Sequence, residues 1–161
     1  MKSIMPCLWF DKEAEDAVNF YISVFKNSKI LDIARFTESM AAASGQPSGT
    51  VMTVAFQLKG QDFLALNGGP HFSFTPAVSF VVRCDSQDEI DYYWDKLSEG
   101  GEIEQCGWLR DKYGLSWQIV PSNIGEMIDD SDSSRTDKVM KALLGMKKID
   151  MNALQKAFEQ V

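Results

Sequence analysis

The chain has 161 residues, the size of one domain or of two small fused modules. At about this length a fold buries roughly 70% of the surface its unfolded chain exposes, so disulfides are not needed to hold it together. Acids outnumber bases 23 to 16 for a formal charge of −7, which argues against a basic nucleic-acid or anionic-membrane surface. The single histidine, His71, excludes a site with two or more His ligands from this chain and a His-rich proton relay.

Residues 4–10 (IMPCLWF) form a short apolar run that reads as a buried strand. Ala14, Ala17, Val18, Tyr21, Ile22 and Phe25 then recur at helical spacing and make the stripe of an amphipathic helix. Acids crowd its first turns, where the helix dipole favours them. Residues 29–36 read as a strand and 37–49, rich in Ser, Ala, Gly and Pro, as a mobile loop. Strands at 50–58 and 61–67 are joined around Lys59-Gly60 as a hairpin, and Gly68-Gly69-Pro70 breaks the sheet.

The second half repeats this order. A strand at 77–83 is followed by a helix capped by Asp85 or Ser86 and stopped by Gly100-Gly101. A short strand falls near 102–104, then a hairpin turns at about Asp111–Gly114, and Pro121 closes its second strand. Residues 122–161 change character and read as helical, with a cap within 131–134, an interruption at Gly145 and a cap at Asp150.

Sliding the chain on itself by 72 positions sets Leu8 on Phe80, Phe10 on Val82, Asp16 on Asp88, Val18 on Ile90 and Phe25 on Leu97. The simplest reading is α+β: two βαβββ modules forming a curved mixed sheet around a cleft, with a C-terminal helical extension. The expected boundaries are 1–68, 77–121 and 122–161 within a single domain.

No stretch approaches the roughly 18 apolar residues of a membrane span, and the first residues lack the layout of a signal peptide. Cys7, Cys84 and Cys106 form neither a CxxC pair nor a disulfide framework. A cytoplasmic protein with free thiols is the expectation.

Three stretches carry a family resemblance: MPCLWFDKEAEDAVNFYISVF at 5–25, DKYGLSWQIVPS at 111–122 and VMKALLGMKKIDMNALQKAF at 139–158. With the repeat, they make the chain resemble the vicinal oxygen chelate superfamily of glyoxalases, bleomycin-resistance proteins and extradiol dioxygenases, in its PhnB-like branch. Sequences of that branch often carry the label demethylubiquinone methyltransferase. No two glycines here are spaced as GxG, so the Gly-rich loop of a Rossmann methyltransferase is missing.

The resemblance implies four metal-ligand positions, on the first and last strand of each module. They correspond here to Met5, Ala65, Ala77 and Gln118, and only Gln118 is ligand-like. A one-residue slip brings in Ile4, Leu64 or Leu66, and Val78 or Pro76, which serve a metal no better. His71 falls outside these positions and reads as a surface side chain. No metal and no cofactor are therefore expected. Strand alternation separates a uniformly large apolar face from one that mixes small, polar and aromatic residues. The mixed face has the texture of a small-molecule pocket. Its candidate lining residues are Met5, Cys7, Trp9, Phe63, Ala65, Asn67, Ala77, Ser79, Ser116 and Gln118.

Arg83 reads as a surface ion pair or an anion contact. Arg110-Asp111-Lys112-Tyr113 reads as a solvated turn. The resemblance implies a homodimer, with a metal-independent small-molecule binder as the first functional reading. The alternative is a glyoxalase-like lyase, isomerase or dioxygenase, with a methyltransferase as a distant third.

Overall fold

The computed structural model describes residues 4–129 and 131–159. Residues 1–3, 130 and 160–161, which include the outer ends of the first module and of the extension, lie outside the described residues. The chain divides into two compact units between Ser73 and Phe74.

The first unit runs β1 (Cys7–Phe10), α1 (Ala14–Val24), β2 (Lys29–Arg35), α2 (Glu38–Ser44), β3 (Val51–Leu58) and β4 (Gln61–Asn67). Its four-stranded sheet has the order β1-β4-β3-β2, with β1 parallel to β4 and the other pairs antiparallel. The helical stripe does what its spacing requires. Ala14, Ala17, Val18 and Tyr21 are buried, together with Leu8 and Phe10 of β1 and Val54 and Phe56 of β3. Ile22 is half-buried, and Val24 and Phe25 complete the buried face. The hairpin turns at Lys59-Gly60, both at positive φ (46° and 84°). Paired positive φ values match the right-handed twist of the flanking strands.

Helix α2 lies where a mobile loop was expected. It buries no residue, so there is no apolar stripe for a periodicity argument to detect. Local chemistry holds it: the Thr37 hydroxyl accepts from Met40 N, and Gly45 ends the helix at φ 74°.

The second unit begins with β5 (Ser79–Cys84), α3 (Gln87–Ser98), β6 (Glu102–Ile103), β7 (Trp108–Arg110) and β8 (Ser116–Pro121). Its sheet order, β5-β8-β7-β6 with β5 parallel to β8, is that of the first unit. The 72-residue repeat is thus a repeat of topology. Ile90, Tyr93, Trp94 and Leu97 of α3 are buried, and so are Val82, Leu109, Trp117 and Ile119 on the sheet. Ser86 supplies the cap, accepting from Glu89 N.

The turn at Asp111, which reads from sequence as solvated, holds a buried carboxylate instead. Asp111 is 3% exposed. One carboxylate oxygen accepts from Tyr113 N and Leu115 N, and the other from Trp117 Nε1 at 2.8 Å. The charge is buried because three N–H groups replace its water. Arg110, in turn, pairs with Glu102 and Glu104 across the β6–β7 hairpin.

The extension forms α4 (Ile124–Ile128), α5 (Ser133–Leu144) and α6 (Met151–Glu159). Asp132 caps α5, and the Asp150 carboxylate accepts from Ala153 N in the first turn of α6. The MKKID junction between α5 and α6 ties the extension to the second sheet. The carbonyls of Met146 and Lys147 accept from Cys106 N and Gly107 N, each at 2.8 Å. Lys148 Nζ stands 3.0 Å from Asp91 and 3.7 Å from Asp95 on α3. The Ile149 side chain is fully buried, against Gly107. Gln87 donates to Ile149 O and accepts from Met151 N. Cys106 and Gly107 both sit at positive φ (59° and 80°), so this strained turn is held by the segment it binds.

Candidate functional site

Strand pairing decides which side chains share a face. In the first unit Leu8 pairs with Ala65 and Phe10 with Asn67, while Cys7 pairs with Leu64 and Trp9 with Leu66. Paired residues point the same way. Phe63, Ala65 and Asn67 therefore lie on the side that packs against α1, not on the pocket side where alternation in sequence had put them. Phe63 stacks on Phe56 at 5.2 Å, and Ala65 is fully buried. Asn67 is structural: its Oδ1 accepts from Ala14 N at the start of α1, and its Nδ2 donates to Val51 O. The polar Asn67 made this alternation look like a pocket face, whereas its amide satisfies backbone groups inside the core.

On the opposite face, Trp9 is committed to the link after β4. Its Nε1 donates to Gly69 O at 2.9 Å, its ring meets Phe72 edge-on, and a Cβ on Gly68 would come within 2.2 Å of the indole. Cys7 is exposed, and partial burial pushes its thiol pKa up, which makes it a poor nucleophile at neutral pH. Met5 is exposed, as is His71 in the link. A depression of about 440 Å³ in this unit is lined by Lys12, Glu15, Asp16, Arg35 and Asn67 among others, beside the start of α1.

In the second unit Ser79 pairs with Ser116 and Val81 with Gln118, so the expected face holds together there. Gln118 Nε2 donates to Ser79 Oγ at 2.9 Å. Ser116 is fully buried, and its hydroxyl has no hydrogen-bond partner among the described residues. Ala77 is exposed, ahead of β5.

This face and the extension flank a cavity of about 340 Å³ that opens to solvent at Val81, Arg83 and Glu126. The sheet contributes Val81, Arg83, Trp108, Gln118 and Val120, and the extension Ile124, Glu126, Ile128, Leu143 and Ile149. Of the ten residues expected from sequence, only Gln118 lines it. Arg83 does reach the cavity, and no described residue pairs with it. The extension residues were not legible as a site, because periodicity shows that a helix forms but not which sheet it folds back upon. The one available signal was the MKKID junction itself.

The family model described as 3-demethylubiquinone-9 3-methyltransferase matches residues 2–120. The chain belongs to this PhnB-like family. A PhnB protein from Bacillus cereus, titled as a 3-demethylubiquinone-9 3-methyltransferase, is 37% identical at TM-score 0.66, over 74% of this chain and 99% of that one. PA1353 from Pseudomonas aeruginosa shares the fold at 17% identity and TM-score 0.59, over 75% and 98% of the two chains. So does the fosfomycin resistance protein FosX from Listeria monocytogenes, in complex with Mn(II), at 14% identity and TM-score 0.50, over 74% and 92%. FosX and PhnB place the PhnB-like chain in the vicinal oxygen chelate superfamily. No curated protein matches it.

The family match ends at residue 120, so α4, α5 and Ile149 of the junction, which wall the cavity, lie outside it, as does α6. The donor set of the PhnB-like chain does not suit a divalent ion. Ala65 lies on the helix side with Leu64 and Leu66 in its place, Ala77 has no donor, and Gln118 offers a single neutral amide oxygen. Among the described residues no three His, Cys, Asp or Glu side chains converge.

Proposed function

We propose that this chain binds a small organic molecule, without a metal, in the cavity between the second sheet and the C-terminal extension. The observation that carries the reading is the cavity itself. At about 340 Å³ it is of ligand size. It has apolar walls from Trp108, Val120, Leu143 and Ile149, and a few polar groups at Arg83, Gln118 and Glu126. A chelate-type site would need carboxylate or imidazole donors on these strands, and the side chains there are Ser79, Val81 and Gln118, which offer only a neutral hydroxyl and a neutral amide. The turn from β1 into α1 reads Asp11-Lys12-Glu13, without the glycines of a Rossmann methyltransferase.

The test is a fragment screen on chelator-treated protein, followed through the Trp108 indole N–H and the Gly125 amide. Hits should move both signals, bind equally with and without chelator, and weaken in Gln118→Ala. Binding that appears only after Zn, Ni or Mn is restored would overturn the reading. The homodimer implied by the resemblance is supported by exposed apolar side chains such as Leu31 on β2 and Leu144 at the end of α5. Light scattering on the purified chain checks it.

A further inference from the structure

We infer that the ligand of this cavity is a small zwitterion with an apolar body, an amino-acid-like molecule, whose carboxylate meets Arg83 and whose ammonium meets Glu126. The inference rests on the pocket reading above and adds the charge pattern of the ligand. Arg83 on β5 and Glu126 on α4 both line the cavity, yet no salt bridge within 4.0 Å joins them. Neither side chain has another hydrogen-bond or ion-pair partner among the described residues. Elsewhere in this unit acids and bases brought together are bridged, as Arg110 is to Glu104 and Lys148 to Asp91. Two opposite charges, one on the sheet wall of the cavity and one on the extension wall, are thus both left for a ligand to meet.

A monoanion would gain Arg83 and face Glu126, and a monocation would meet the reverse. A zwitterion satisfies both, with each contact a charge-assisted hydrogen bond. Trp108, Val120, Leu143 and Ile149 line the same cavity and suit a branched aliphatic or aromatic side chain. One hydrogen of Gln118 Nε2 goes to Ser79 Oγ, and the Gln118 oxygen is an acceptor for a second ammonium hydrogen.

The experiment is calorimetric titration of the full chain at neutral pH with two triads. One is L-leucine, 4-methylpentanoate and 3-methylbutylamine; the other is L-phenylalanine, 3-phenylpropanoate and 2-phenylethylamine. At least one amino acid should bind about tenfold or more tighter than its two single-charge analogues, the scale of one lost charged contact. Arg83→Gln and Glu126→Gln should each weaken it by a similar factor. Glu126→Gln should also bring the carboxylate analogue level with the amino acid. Both side chains are exposed, so neither variant threatens the fold. An analogue that binds as tightly as its amino acid, insensitivity to both variants, or no binding by either triad would overturn the inference. If the fragment screen still finds neutral or singly charged ligands at Trp108, the pocket reading survives that result. If the screen finds none, the pocket reading fails as well.

Discussion

The two units share a strand order and a helix position, but the faces they turn away from their helices differ. In the first, Trp9, Leu64 and Leu66 lie side by side, and Trp9 is pinned to Gly68, Gly69 and Phe72 of its own chain. In the second, Ser79, Val81, Arg83 and Gln118 lie on that face, and the extension stands over part of it to leave a cavity. The repeat therefore fixes where a site can be, while what covers the sheet fixes whether there is one.

The largest effect is expected at Asp111, the polar group on which the second unit depends. Asp111→Ala strands the N–H groups of Tyr113, Leu115 and Trp117 and should cost about 3 kcal/mol in denaturant unfolding. A loss under 1 kcal/mol would mean that the turn is solvated after all. In the first unit the corresponding probe is Gly68→Ala, which drives a methyl into the Trp9 indole. It should cost about 1–3 kcal/mol and shift the Trp9 indole N–H resonance. An unmoved resonance would show that Trp9 is not held by the link.

Gln87→Ala removes the hydrogen bonds to Ile149 O and from Met151 N that help dock the extension, and should cost about 1–2 kcal/mol. Hydrogen exchange should speed up across 146–159 while α1 and β1 of the first unit stay protected. Equal acceleration in both units would refute a local docking role. Acid and base titration is a weaker probe of the same contact. Asp91 is held below its ordinary 3.8, first by the Gln87 hydrogen bond and then by Lys148. Lys148 is raised above 10.5, chiefly by its hydrogen bond to Asp91. The Asp91 contribution is complete above 3.8 and is lost as pH falls through the lowered value. The Lys148 contribution is complete below 10.5 and is lost as pH rises through the raised one. Docking of the extension should thus show no dependence from this pair between those limits, and a transition near neutrality would implicate another group. The smallest effect is expected at Ser116, whose buried hydroxyl has no partner among the described residues. Ser116→Ala should change stability by less than about 1 kcal/mol, or raise it. A large loss would reveal a bound partner for the hydroxyl.

The amino-acid order by itself determined the two modules. Helical stripes at Ala14–Tyr21 and Ile90–Leu97, the Lys59-Gly60 turn, the Ser86 cap and the break at Gly100-Gly101 are local signals, and each acts over a few residues. Local signals also misled. Phe63, Ala65 and Asn67 alternate as a pocket face would, but pairing with β1 turns them inward, because a strand's faces are set by its neighbour's register and not by its own composition. Asp111 looked like a surface turn residue and is buried by three donors, two of them local and one on Trp117. Only the tertiary structure decided that the extension folds back over the second sheet, because that docking rests on Gln87, Asp91, Cys106 and Gly107, 40 to 64 residues away from their partners. No periodicity encodes contacts at that separation. The cavity, and with it the candidate site, exists through them.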